Sequence, residues 1–210
     1  MRVALVLRSG GEFEPGHVET LARQIHSHLS GAKIICLADC EVACETVSLR
    51  HDWPGWWAKM ELYAPWIEGD LLYVDLDTVI TGDLADIAGR GKLTVLSDFY
   101  RPERMGSGLM YLPQDDRTAI WEAWIANPER HIAECTTPER WGDQGFLQEF
   151  WRERADRWQD VLPGQVVSYK VHVREPQTHR ESGNGSVPDN ARVVAFHGKP
   201  RPWETDLGKA

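Results

Sequence analysis

The chain has 210 residues, 42% of them hydrophobic and 26% charged, with a formal net charge of −9 and ten tryptophans. That length fits one domain with a core large enough to need no disulfide or structural metal, and the apolar content excludes a disordered chain. The acidic balance excludes a direct grip on nucleic acid through a basic surface and docking on anionic lipid, both of which need clustered Lys and Arg.

Val3–Leu7 is a short continuous apolar run, read as a buried strand of a parallel sheet. Arg8-Ser-Gly-Gly11 follows as a turn. Val18, Leu21, Ala22, Ile25 and Leu29 then recur on one helical face, with Gly31 as the stop. Lys33–Leu37 is the next strand, so the chain opens as strand–helix–strand, the start of an α/β fold. The cysteines Cys36, Cys40 and Cys44 lack the short paired spacing of a zinc site and, with Cys135, read as free thiols of a reducing cytosol. The apolar run at Val3–Leu7 is too short for a secretion signal, and no stretch approaches a membrane span, so a cytoplasmic protein is expected.

Trp56–Trp66 reads as a helix with Trp56, Met60 and Tyr63 on one side. Leu71–Val74, Leu93–Leu96 and Leu109–Leu112 read as buried strands, Thr118–Ala126 and Gly145–Arg152 as helices, and Val166–Tyr169 and Arg192–Phe196 as late strands. Arg174–Asn190, rich in Pro, Gly, Ser and Asn, reads as a mobile loop. The expected organisation is one domain over 1–203 and a short tail over 204–210 that has no periodicity.

The strongest chemical signal is Leu71-Leu-Tyr-Val-Asp75-Leu-Asp77-Thr-Val-Ile80. A buried strand ends in carboxylates at i and i+2, which share a face in extended chain and repel one another unless something positive lies between them. The carboxyl ends of the strands are where open α/β sheets bind ligands. A divalent cation on Asp75 and Asp77, bridging to phosphate oxygens, satisfies both conditions. The same string also fits the first motif of haloacid-dehalogenase-like phosphohydrolases, with Asp75 as nucleophile and Asp77 as general acid–base. That reading requires a later acidic pair, for which Asp115–Asp116 is the candidate.

Three further segments favour the first reading. Gly106-Ser107-Gly108 puts small residues before a strand, where backbone can approach a ligand. Asp143 and Gln144 stand at the start of a helix. Ala195-Phe-His197-Gly198-Lys199-Pro200-Arg201-Pro-Trp203 closes a strand with an imidazole suited to a metal such as Mn²⁺ and with cations suited to phosphate.

Taken in order, Asp75-Leu-Asp77, Gly106-Ser-Gly108, Asp143-Gln144 and His197-Gly198-Lys199-Pro200 resemble the retaining glycosyltransferases of family 8 type, which have the GT-A nucleotide-sugar-binding fold. The resemblance covers Val3 to Trp203. It implies a mostly parallel sheet flanked by helices, a nucleotide-sugar donor (a UDP-sugar favoured) and a divalent cation, Mn²⁺ rather than Mg²⁺, held by Asp75, Asp77 and His197. It also implies that Asp143 and Gln144 stand beside the anomeric carbon, and that Arg8, Lys59, Asp98, Gly106, Ser107, Gly198, Lys199 and Arg201 surround the donor. The sequence departs from the family in carrying Gly106 where Asn is frequent. Its spacing from His197 to Lys199 is also shorter, so that Arg201 could replace Lys199. Trp56, Trp57 and Trp203, together with Trp53, are candidate platforms for a sugar or base, whereas Trp121 and Trp124 read as core. A silent sugar- or nucleotide-binding module is a further alternative. The acceptor is not named by any residue.

Overall fold

The computed structural model describes residues 1–208. Its strands are β1 (Arg2–Leu7), β2 (Lys33–Ala38), β3 (Glu45–Ser48), β4 (Leu71–Val74), β5 (Thr78–Ile80), β6 (Thr94–Ser97), β7 (Met105–Leu112), β8 (Asp156–Arg157), β9 (Val166–Ser168) and β10 (Val193–Ala195). Its α-helices are α1 (Pro15–His28), α2 (Ala85–Ala88), α3 (Thr118–Ala126), α4 (Pro128–Glu134), α5 (Gly142–Trp151) and α6 (Trp158–Val161).

Seven strands form the central sheet in the order β3-β2-β1-β4-β7-β6-β8. All neighbours are parallel except where β7 runs against β4 and β6. Because β7 is reversed, its first residues, Gly106 to Gly108, lie at the carboxyl ends of its neighbours β4 and β6; expected to precede the strand, they form part of it. A second sheet, β5-β10-β9, folds over that same edge. Ala195 pairs with Thr78, and the Phe196 N–H donates to the Asp77 carbonyl at 2.9 Å, which returns His197 and Gly198 to the end of β4.

The alternation of side chains in the strands divides the core between the two faces of the sheet. Ala4, Leu71, Tyr73, Met110 and Leu112 face one cluster, filled by Trp57, Trp124, Trp151 and Phe146. Val3, Leu5, Leu72, Val74 and Leu109 face the other, under α1, α2 and Trp158. Helix α1 buries Val18, Leu21, Ala22 and Ile25, the face its periodicity marks. Pro15 stands in its first turn, where no N–H is needed, and Gly31 (φ +73°) turns the chain after it.

Several elements differ from the sequence reading. The segment expected as a helix over Trp56–Trp66 is a 3₁₀ helix, Gly55–Tyr63. With three residues per turn, Trp57, Met60 and Tyr63 line up in one row against the core, and Trp56 is turned out to 49% exposure. The late strand β9 stops at Ser168, whose Oγ accepts the Val171 N–H at 3.1 Å and opens a π-helical turn, Tyr169–Val173. Arg174–Asn190 carries no helix or strand, and Glu181 ties it to the rest of the fold. Glu181 accepts from Tyr100 at 2.7 Å, from Arg174 at 2.9 Å and from the Gln177 N–H at 2.8 Å. The strands β3, β5 and β8 and the helices α2, α4 and α6 were not anticipated. Of the segment expected as a tail, residues 209–210 lie outside the described residues. Just before it a 3₁₀ turn runs Pro202–Glu204, and within it Leu207 packs on the small third core beside Phe196. Among the described residues all four cysteines are free, and no helix is long and apolar enough to cross a membrane.

Candidate active site

A cleft of about 840 Å³ lies along the strand ends, within the size range of small-molecule sites. Its floor is the Asp75 end of β4 and the Gly106–Gly108 start of β7. Asp75 is tied to β7 by its N–H, which donates to the Gly108 carbonyl at 2.9 Å. A Cβ on Gly108 would lie 3.3 Å from Asp75 Oδ2 and 3.3 Å from Leu96 Cδ1, so the absence of a side chain there gives the carboxylate its place.

Lys59 is the centre of the floor. It is 7% exposed, with Nζ 3.1 Å from Asp143 Oδ2, 3.4 Å from Asp75 Oδ1 and 3.1 Å from Ser107 Oγ, to which it donates. Burial alone would push the ammonium down. The Asp143 and Asp75 carboxylates outweigh it and hold the group above the usual lysine value, so it stays charged. The contact with Asp143 Oδ2 is an ion pair without hydrogen-bond alignment, which leaves a buried carboxylate oxygen with no hydrogen-bond partner. The Tyr73 hydroxyl, on the same face of β4, donates to Asp75 Oδ1. Burial and the Asp75 charge raise that phenol well above its normal value, so it remains a donor.

Asp77 is also buried, at 7% exposure. Its carboxyl is pushed up to about 7 by burial and by the neighbouring Asp75 charge, while Arg201 and Lys59 pull it the other way. The Arg201 guanidinium donates to Asp77 Oδ2 and also binds Glu12 Oε2 at 2.7 Å. Two crowded carboxylates, one of them destabilised as an anion, are a donor set that suits a hard divalent cation.

His197 lines the same cleft. Its Nε2 is 2.7 Å from Ser168 Oγ, and its ring stacks on Phe99 at 5.5 Å between centroids. Burial and the Lys170 ammonium lower it to about 4, so the imidazole is neutral near pH 7. Among the described residues no group of three or more His, Cys, Asp or Glu converges as a metal cage. Asp75 and Asp77 are brought together, whereas the His197 ring lies against Ser168 and Phe99.

The other anticipated residues divide cleanly. Arg8, Trp56, Asp98, Gly106, Ser107, Asp143, Gln144, Gly198 and Arg201 line the cleft. Asp143 and Gln144 occupy the first turn of α5, which begins three residues earlier than its apolar pattern suggests. Gln144 Oε1 faces Gly106, 3.8 Å from where a Cβ would lie. Arg8 pairs with Asp39 at 3.3 Å and with Asp52. Asp98 turns one oxygen back onto the Tyr100 and Arg101 N–H groups, at 2.8 and 2.9 Å.

Four anticipated side chains do not line the cleft. Lys199 points to the surface, onto Glu12 at 3.0 Å and Glu204 at 2.9 Å. Trp57 is core, stacked on Trp124 at 5.1 Å, and Trp53 meets Trp124 edge-on. Trp203 stacks on His17 at 3.7 Å. The later acidic pair that a phosphohydrolase requires is also absent from the cleft wall; Asp116 pairs with Arg154 instead.

Sequence reasoning missed Tyr73, Glu12, Ser168 and Trp141. Tyr73 was within reach, since it lies two residues before Asp75 on a strand. Trp141 was too, two residues before Asp143, while Glu12 and Ser168 meet the site through contacts distant in sequence, which carry no local signal.

The fold recurs in solved structures. The chain is similar to the glycosyltransferase GlyE of Streptococcus pneumoniae TIGR4 (16% identity, TM-score 0.67), over 96% of this chain and 56% of that one. It is similar to an active-site mutant of LgtC (11% identity, TM-score 0.66), over 99% of this chain and 91% of that one. It also resembles the bifunctional glycosyltransferase WbbM (12% identity, TM-score 0.61), over 98% of this chain and 47% of that one. The chain has the GT-A glycosyltransferase fold. It spans about half the length of GlyE and WbbM and most of LgtC. LgtC has also been solved with donor and acceptor sugar analogues. No family model matches the sequence, and no curated protein is similar to it at the sequence level.

Proposed function

We propose that this chain is a glycosyltransferase that moves a sugar from a nucleotide-sugar donor, a UDP-sugar favoured, to a hydroxyl acceptor with retention at the anomeric carbon. The observation that carries the proposal is the buried Lys59, held between Asp75 and Asp143 on the floor of a cleft at the strand ends of a GT-A fold.

Breaking a glycosidic bond to diphosphate builds negative charge on the leaving group and positive charge on the sugar. Asp75 and Asp77 would hold a divalent cation, Mn²⁺ favoured, with His197 of the same cleft as the third ligand, and that cation would neutralise the leaving diphosphate. Arg201, aimed into the cleft from Asp77, adds a guanidinium that can meet phosphate in two places, the role the motif would have given Lys199. Asp143, across Lys59 from Asp75, and the Gln144 carbonyl beside it supply carboxylate and amide oxygens that would stabilise a sugar cation. Lys59 holds Asp143 and Asp75 at fixed positions and keeps their mutual repulsion from opening the floor. Arg8 serves the nucleotide end, where β1 leaves the sheet.

The test is thermal denaturation with UDP in the presence of Mn²⁺ and, separately, of EDTA, followed by UDP release from a set of UDP-sugars. Stabilisation by UDP that needs Mn²⁺ is expected, and it should disappear in Asp75→Asn and Asp77→Asn. Unchanged UDP release in both variants sinks the role of the carboxylates. An acyl-phosphate trapped at Asp75 with a phosphate mimic would replace transfer by phosphohydrolysis.

A further inference from the structure

Trp56 and Trp141 are the two tryptophans that the fold leaves open, 49% and 51% exposed, and they touch, with ring centroids 6.2 Å apart and planes tilted by 44°. Both line the cleft. An exposed indole costs apolar area in water, and two in contact at the rim of a cleft mark a binding surface.

Their placement is fixed by the same segments that build the floor. Trp56 stands three residues before Lys59 on the 3₁₀ helix, and Trp141 two residues before Asp143 at the start of α5. Gly142 lies between them with φ +60°, and a Cβ there would come within 3.0 Å of Trp56 Nε1. Its missing side chain lets the Trp56 indole settle on the helix start. The strap that carries Trp141 is closed by Gly142 N–H to the Cys135 carbonyl at 2.9 Å and by an isolated bridge between Thr136 and Trp141.

Along the cleft, Arg8, Glu12 and Arg201 stand at the β1 end and Asp75 and Asp77 at β4. Gly106, Asp143 and Gln144 line it at β7 and the start of α5, and the indole pair lines it next to Asp143, as does Pro138, whose carbonyl accepts from Arg101 at 3.0 Å. If the diphosphate lies at the carboxylates and the sugar at Asp143 and Gln144, the nucleotide takes the β1 side. The indoles, next to Asp143, then flank the sugar on the side away from the nucleotide, where the attacking group would enter.

We propose that Trp56 and Trp141 form the acceptor subsite and that the acceptor presents a saccharide ring to it. This rests on the transferase reading above. Each indole offers a face that matches the C–H face of one pyranose ring. Glu139, Gln148 and Arg104 line the cleft as well, and they supply the polar partners that ring hydroxyls need and a lipid chain does not.

The experiment uses the full chain and two separate readings. Tryptophan fluorescence titrations measure binding of methyl glucoside, methyl galactoside, methyl mannoside, N-acetylglucosamine, lactose, maltose and cellobiose, and calorimetry measures binding of UDP with Mn²⁺. The expected result is saccharide binding by the wild type. It should weaken at least about tenfold in Trp56→Ala and Trp141→Ala and be partly kept in the Phe variants, a scale set by the loss of about 1.4 kcal/mol of stacking. UDP affinity should not follow it. Unfolding curves confirm that the variants fold, as exposed side chains allow. The subsite is overturned if no saccharide binds, if saccharide binding survives both Ala variants, or if UDP affinity falls in parallel, which would make the pair a base platform. Binding of the wild type to phosphatidylcholine vesicles that the Ala variants lose would assign the pair to lipid and likewise overturn it. Absence of UDP binding in the wild type fails the transferase reading, and the saccharide titration distinguishes that failure from failure of the subsite.

Discussion

Lys59 is a buried cation whose ammonium lies 3.1 Å from buried Asp143 and 3.4 Å from half-buried Asp75. Removing one partner of a buried set leaves uncompensated charge and costs about 3–5 kcal/mol. Lys59→Met should therefore lower stability by that order in thermal or urea unfolding. The double variant Lys59→Met/Asp143→Asn should recover a large part of the loss, since the orphaned carboxylate is then neutral. Equal losses in the single and double variants would show that packing, not charge, fixes Lys59. Lys59→Arg should not restore the wild type, because a planar fork does not fit a site shaped for a point charge between Ser107 Oγ and two carboxylates.

At the scale of elements, Glu181 links the 174–190 segment to the site, through Tyr100 on one side and Arg174 on the other. The Gln177 N–H, the Tyr100 hydroxyl and the Arg174 guanidinium hold its carboxyl down at about 2, from an ordinary 4.5. A carboxyl lowered in the folded state stabilises above its unfolded value, and that contribution is lost as pH falls from about 4.5 through about 2. Hydrogen exchange over 174–190 should accelerate across that interval before the sheet strands exchange. Glu181→Gln should show the faster exchange already at pH 7. An unchanged exchange rate in the variant would mean that Val187 and the third core hold the segment without Glu181. The same segment shows where sequence reading stops. β1, β2, β4 and the Leu109–Leu112 half of β7 were legible because a strand buried on both faces is an unbroken apolar run, and α1 because one face repeats. The fate of 174–190 depends on one carboxylate meeting a tyrosine 81 residues away, and no local composition encodes that. The 3₁₀ helix at Gly55–Tyr63 was misread as α because Trp56, Met60 and Tyr63 fit a spacing of four and three. Burial of Trp57 through Tyr63 on every side left no polar stripe to distinguish the two. At the site, Asp75, Asp77, Asp143 and Arg201 were legible as motif residues on strand and helix ends. Glu12 and Ser168 were not, since tertiary folding alone brings them there, whereas Trp141 stands two residues before Asp143 and was overlooked.

For the whole molecule, the net charge of −9 and the ten tryptophans now have separate addresses. Part of the acidity is internal, at Asp75, Asp77 and Asp143, where it is set against Lys59 and Arg201 rather than spread over a surface. Most of the tryptophans belong to one face of the sheet. Trp53 and Trp57 from the segment around the 3₁₀ helix, Trp121 and Trp124 from α3, and Trp151 from α5 share that cluster, with Trp57 stacked on Trp124 and Phe146 edge-on to it. This packing couples the core to the site, because Trp57 lies two residues from Lys59 and Phe146 three residues from Asp143. Trp124→Ala should cost about 3–5 kcal/mol, the usual range for a fully buried tryptophan, and about 2–4 °C of Tm per kcal/mol in a chain of this size. It should also weaken UDP binding with Mn²⁺, since both walls of the ion pair lose their backing. Ile125→Ala, one residue along α3 and 40% exposed, should change Tm by little and UDP affinity not at all. If Trp124→Ala lowers Tm while UDP affinity stays at the wild-type level, the cluster supports the fold alone, and the floor of the cleft is held by its own ion pairs.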